Sequence, residues 1–113
     1  MGVSDRITAL VSENEIVLFM KGDPLAPKCG FSAGVIKVLD ALDRPYKSVD
    51  VLADPFIREG IKEYSDWPTI PQVYVRGEFI GGCDIVRDMY ASGELQALFA
   101  DAEASGAEAS GAV

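Results

Sequence analysis

Residues 16–32 read IVLFMKGDPLAPKCGFS, and this stretch decides the fold. Ile16 to Met20 is a short continuous apolar run, the pattern of a strand buried on both faces. Lys21 to Lys28 carries a glycine and two prolines and reads as a loop. From Cys29 the spacing of Phe31, Val35, Val38, Leu39 and Leu42 is helical. Strand, loop and helix in that order put Cys29 at a helix N-terminus. There, unpaired backbone N–H groups and the positive end of the helix dipole favour a thiolate over a thiol. Lys21 and Lys28 add positive charge nearby. Position 32, where a C-x-x-C redox motif has its second sulfur, is Ser32, whose hydroxyl cannot form a disulfide.

Outward from this core the pattern continues. Ser4 can cap a first helix with Ile7, Leu10 and Val11 on one face. Tyr46 to Val51 reads as a second strand. Asp54-Pro55 is an N-cap with proline at the first helical position, and Ile57, Ile61 and Tyr64 form that helix's buried stripe. Trp67-Pro68-Thr69-Ile70-Pro71 interrupts it. Gln72 to Val75 and Glu78 to Ile80, joined by Arg76-Gly77, read as an antiparallel hairpin. Gly81-Gly82 breaks the last strand, Asp84 caps a helix with Ile85, Val86, Met89 and Tyr90, and a final helix carries Leu95, Leu98, Phe99 and Ala102. The order α-β-α-β-α-β-β-α-α predicts an α/β fold. It is a mixed four-stranded sheet flanked by helices, its first two strands parallel through a right-handed crossover. Residues 1–103 form one domain in this reading. Residues 104–113, which repeat Ala-Ser-Gly-Ala, have nothing to bury and are expected to be a disordered tail.

Composition narrows the chemistry. A net charge of −8 argues against binding a phosphate backbone, so no nucleic-acid partner is expected. The chain contains no histidine, which removes Cys–His and Ser–His nucleophile pairs and histidine-ligated zinc. Two cysteines cannot supply an all-cysteine zinc site within one chain. No apolar run approaches the ~18–20 residues that span a bilayer, so no membrane role is expected. No signal or transit segment is visible, and the cytoplasm is the expected compartment, or an organellar matrix after removal of a presequence.

Three motifs now stand in order: Lys21-Gly22 with Pro27-Lys28-Cys29-Gly30-Phe31-Ser32, Trp67-Pro68-Thr69-Ile70-Pro71-Gln72, and Gly81-Gly82-Cys83-Asp84. On these the chain resembles a single-domain monothiol glutaredoxin of the Cys-Gly-Phe-Ser type, with a thioredoxin-like fold, from about Ser4 to Leu98. The resemblance implies that Lys21 and Arg58 hold a glutathione carboxylate. It also implies that the Ile70–Pro71 bond is cis with the Ile70 backbone pairing to glutathione, and that Cys83 and Asp84 bind the glutamyl end. Thr69 and Lys62 are secondary candidates. Thr69 is also readable as a plain turn residue, and Lys62 as part of a solvated mixed-charge face with Glu59 and Glu63. Pro71 at a strand start, which removes one ladder donor, independently suits an open edge that accepts an extended peptide. Phe31 is expected to pack, Ser32 to cap or solvate the site, and Trp67 to serve as an apolar anchor.

Cys29 is the catalytic and metal-ligating candidate. A [2Fe–2S] cluster takes about four thiolate ligands. Two copies of Cys29 and two glutathione molecules make one set, bridging a homodimer; Cys29 and Cys83 from each chain make another. The resemblance implies the former, with cluster carriage to iron–sulfur client proteins and a BolA-like partner. The alternative is a glutathione-dependent thiol–disulfide oxidoreductase, in which a second glutathione resolves the adduct on Cys29.

Overall fold

The computed structural model describes residues 2–100. In chain order these form α1 (Val3–Glu13), β1 (Ile16–Met20), the two-residue strands β2 (Gly22–Asp23) and β3 (Ala26–Pro27), α2 (Gly30–Ala41), β4 (Lys47–Asp50), α3 (Pro55–Ser65), β5 (Gln72–Val75), β6 (Glu78–Gly81) and α4 (Cys83–Ser92). Residues 94–100 are helical as well. The expected tail at 104–113, the domain boundary at 103 and Ala102 lie outside the described residues.

The main sheet has the order β4-β1-β5-β6. β1 pairs parallel with β4 (Leu18 opposite Ser48) and antiparallel with β5 (Leu18 opposite Val73), and β5 pairs antiparallel with β6. The mixed four-stranded α/β sheet expected from the sequence is therefore present. β1 lies second in the sheet, and all five of its side chains are buried because successive residues serve opposite layers. Ile16, Leu18 and Met20 face a cluster with Val35 and Leu39 of α2, Val86 of α4, Leu95 and Phe99. Val17 and Phe19 face Ile7 and Val11 of α1 and Ile57 and Ile61 of α3. Each such side chain contributes roughly 1.5–3 kcal/mol by leaving water, so the continuous apolar run is a requirement of two-sided burial.

Several local expectations are corrected. The first helix is capped by Gly2, whose N–H bonds the Asp5 carboxylate at 3.3 Å; Ser4 is already inside the helix. Gly82, not Asp84, is the N-cap of α4, and Asp84 stands in the first turn, where its charge suits the helix dipole. Tyr64, placed on the buried stripe of its helix, and Ile85 and Tyr90, read among the apolar residues of theirs, are each more than a third exposed. The loop after β1 contains the β2–β3 hairpin. Gly22 opens β2 at φ +88°, and a Cβ there would stand 2.6 Å from the Ala26 carbonyl oxygen. The Asp23 carboxylate accepts the Leu25 and Ala26 N–H groups at 2.9 Å, and the Lys28 N–H closes onto the Lys21 carbonyl at 2.8 Å. Side-chain hydrogen bonding by aspartate, invisible to hydrophobic periodicity, builds this element.

Candidate functional site

A cleft of about 470 Å³ opens at the end of β1 where Cys29 stands. Lys21, Cys29, Arg58, Lys62, Thr69, Ile70, Cys83 and Asp84 all line it, so the fold brings every candidate residue from the sequence to one place. They arrive from the end of β1, the start of α2, one face of α3, the loop before β5 and the first turn of α4.

Cys29 is the N-cap of α2, in extended conformation at φ −149° and ψ 135°, and is partly exposed. Its side chain makes no capping hydrogen bond. The Ser32 N–H is nonetheless the largest influence on its pKa, which lies below the ordinary 9.0. Burial opposes that shift, while the Phe31 N–H, the Lys21 charge and the Ser32 hydroxyl support it. Helix-start donors thus matter more than the neighbouring lysine. Lys28, expected to help, does not line the cleft. Ser32 is fully buried, and its Oγ accepts the Lys21 N–H at 3.2 Å.

α3 begins at Asp54, whose carboxylate accepts the Phe56 and Ile57 N–H groups and pairs with Arg6. One turn later Arg58 reaches the cleft with a buried Nε that has no hydrogen-bond partner among the described residues. A buried guanidinium donor without a partner is costly unless an acceptor arrives, so this atom suits an anionic ligand. Lys62 lies 3.6 Å from Glu59, as a mixed-charge face requires, and also lines the cleft.

The opposite wall is the segment 67–71. The Ile70–Pro71 bond is cis. The Ile70 side chain is buried among the residues under α1 and α3, leaving its backbone as its contribution to the cleft. Trp67 packs its ring on Phe79 with centroids 5.8 Å apart, an anchor as expected, and it also lines the cleft. Gly82 answers a close approach: a Cβ there would meet the Pro71 carbonyl oxygen at 3.1 Å. Small size at this position lets the first turn of α4 lie against the cis-proline segment.

Cys83 is only 6% exposed, and its Sγ lies 3.1 Å from where a Cβ on Gly34 would be, so it is packed between α4 and α2. Both cysteines are free. Among the described residues no group of three or more His, Cys, Asp or Glu could hold a metal ion.

Two further lining residues are apolar. Phe31, expected to pack, is 61% exposed at the cleft. Ile85, read among the apolar residues of the helix after Gly82, also lines it. For Phe31 periodicity gave no warning: α2 buries Ser32, Val35, Ile36, Val38 and Leu39, and Val35 and Val38 stand at i+4 and i+7 from Phe31.

A family model described as Glutaredoxin matches residues 16–80. A monothiol glutaredoxin ycf64-like protein of Synechocystis sp. is 56% identical over 100 residues, covering 88% of this chain and 94% of its own. The solution structure of reduced poplar apo GrxS14 superposes with a TM-score of 0.79 at 45% identity, over 90% of this chain and 94% of that one. The crystal structure of a buckwheat glutaredoxin–glutathione complex superposes with a TM-score of 0.80 at 25% identity, over 89% and 90% of the two chains. No described helix is long and apolar enough to cross a membrane.

Proposed function

The chain belongs to the glutaredoxin family, with monothiol glutaredoxins among its relatives, and from that premise we propose that it binds glutathione beside Cys29 and carries a [2Fe–2S] cluster between two subunits. The observation that carries this reading is the convergence of Cys29 with Lys21, Arg58, Ile70, Cys83 and Asp84 on one cleft. Glutathione is an extended tripeptide with two carboxylates and one ammonium. Arg58, with its unpartnered Nε, and Lys21 suit one carboxylate. The Ile70 backbone suits strand-like pairing. The first turn of α4 offers N–H groups for the second carboxylate and Asp84 for the ammonium. Thr69 and Lys62 lie at hand as further contacts.

The cluster reading rests on counting thiolates. One chain offers one accessible sulfur, Cys29, and the packing of Cys83 favours glutathione over Cys83 as the second ligand type. Two chains and two glutathione thiolates then complete four, with the cluster as cargo for delivery to client proteins and a BolA-like protein as a partner. The cytoplasm, or an organellar matrix, is the proposed setting.

The lowered pKa of Cys29 favours a second activity at the same cleft. The Cys29 thiolate attacks the glutathione sulfur of a mixed disulfide, and the client thiolate leaves. A second glutathione thiolate then attacks the Cys29–glutathione disulfide, releasing glutathione disulfide and regenerating Cys29. Ser32, buried and without sulfur, takes no part in that exchange.

Anaerobic reconstitution with iron and sulfide, with and without glutathione, tests the cluster reading, with visible absorbance and molecular mass followed together. Colour and dimer are expected only with glutathione, and in Cys83→Ser as in the wild type. Colour that vanishes in Cys83→Ser transfers the second ligand to Cys83. A rapid glutathione-coupled disulfide reductase that takes up no cluster makes the exchange reaction the principal function.

A further inference from the structure

Gln72 does not line the cleft, yet it is one of two fully buried polar side chains among the described residues. Its Nε2 donates to the Trp67 carbonyl at 3.2 Å and to the Thr69 carbonyl at 3.1 Å, and its Oε1 accepts the Tyr74 hydroxyl at 3.4 Å. This uses both donors of the amide and leaves the oxygen facing a hydroxyl. Turning the amide over would set its oxygen against two carbonyl oxygens, so the network fixes its orientation. The backbone of Gln72 is held in β5 opposite Phe19 of β1, at the middle of the sheet. One side chain therefore ties the segment before Pro71 to the most deeply buried layer of the fold. Trp67 and Thr69 are themselves exposed, so their carbonyls can turn to water if the amide is lost. Losing it should loosen this wall of the cleft and leave the core in place.

We propose that Gln72 is a positioning residue: it holds residues 67–70 in the shape that forms one wall of the cleft, and thereby sets the affinity for an extended peptide laid along the Ile70 backbone. The affinity part rests on the glutathione reading above. The clamp itself does not.

Two variants separate hydrogen bonding from packing. Gln72→Met fills similar space without donors, and Gln72→Glu keeps the shape but sets a carboxylate against two carbonyl oxygens. Backbone amide order parameters from NMR relaxation are measured without ligand, glutathione affinity by calorimetry, and the Cys29 titration by alkylation rate against pH. In Gln72→Met, the order parameters of Thr69 and Ile70 should fall from the rigid range of about 0.85 towards about 0.6 while those of β1 stay rigid, and the glutathione Kd should rise about tenfold, the loss of one net hydrogen bond. Gln72→Glu should show both effects at least as strongly. Saturating glutathione should restore order at Thr69 and Ile70, and the Cys29 titration should not move. Unchanged order parameters at Thr69 and Ile70 in both variants overturn the proposal. So does an equal fall across the whole sheet, which marks a merely structural residue. If the wild type binds no glutathione, the functional reading falls, and the clamp is judged on the order parameters alone.

Discussion

The hydroxyl of Ser32 accepts a hydrogen bond from the backbone N–H of Lys21 at 3.2 Å, with the Ser32 side chain wholly buried. One residue past Lys21, the Gly22 N–H is held by the Asp50 carboxylate at 3.0 Å. The end of β1 is thus tied on one side to the first turn of α2 and on the other to β4. The residue that stands in place of a second redox sulfur therefore has a structural role. It fixes where the Lys21 side chain departs relative to the Cys29 thiol.

Ser32→Ala leaves the part-buried Lys21 N–H without its partner, and such a loss costs about 1 kcal/mol. Urea unfolding should show that decrease. The Cys29 pKa should rise only slightly, because its largest support, the Ser32 N–H, survives the substitution. A large rise in that pKa would show instead that the hydroxyl governs the thiolate.

The pH dependence of Cys29 has a definite sign. Its folded-state pKa lies below 9.0, so the folded chain releases this proton before the unfolded chain does. Stability from this group therefore rises with pH between the two values and is fully present above the unfolded one. Alkylation should accelerate through the lowered pKa. Lys21→Gln should move that midpoint upward by a modest amount, since the Lys21 charge ranks behind the N–H groups of Ser32 and Phe31. Iodoacetamide rates across pH check both statements.

Asp54 lies below its ordinary pKa of 3.8 chiefly because the Arg6 side chain hydrogen-bonds to it, with the Ile57 N–H next among the supports. Its contribution is present above the unfolded value and is lost as pH falls through the lowered folded one. Asp54→Asn should therefore flatten the acid limb of stability against pH, and Arg6→Ala should do so in part. Urea midpoints measured from neutral pH down through that range test this; a wild-type slope retained in Asp54→Asn assigns the acid sensitivity to other carboxylates.

Gly82→Ala places a Cβ 3.1 Å from the Pro71 carbonyl oxygen, so α4 and the cis-proline segment must part by a few tenths of an ångström. Glutathione affinity should fall several-fold, roughly 1 kcal/mol, with the Cys29 titration unchanged. The protein's single tryptophan, Trp67, lines the same cleft, so its fluorescence can follow the titration directly. Undiminished affinity would mean that the first turn of α4 lies outside the binding surface.

The layer order and the location of the site are legible in the chain. A five-residue apolar run bounded by turn residues is the pattern of a strand covered on both sides, and a cysteine between a proline-rich loop and a helical pattern falls at a helix start. Periodicity therefore named β1, the crossover through α2 and the β5–β6 hairpin. It also named Cys29, while the resemblance named its companions on the cleft wall. Which residues are buried where two elements meet was decided only by the tertiary structure. Phe31 and Ile85 turned outward because the buried stripes of their helices are filled by other side chains, whereas Ser32 turned inward because a backbone N–H awaited it. The Asp23 turn, the Asp50 tether and the Gln72 clamp were equally illegible in the chain. Each joins a side chain to backbone groups whose positions exist only once the fold has formed, and hydrogen bonds of that kind leave no periodic trace.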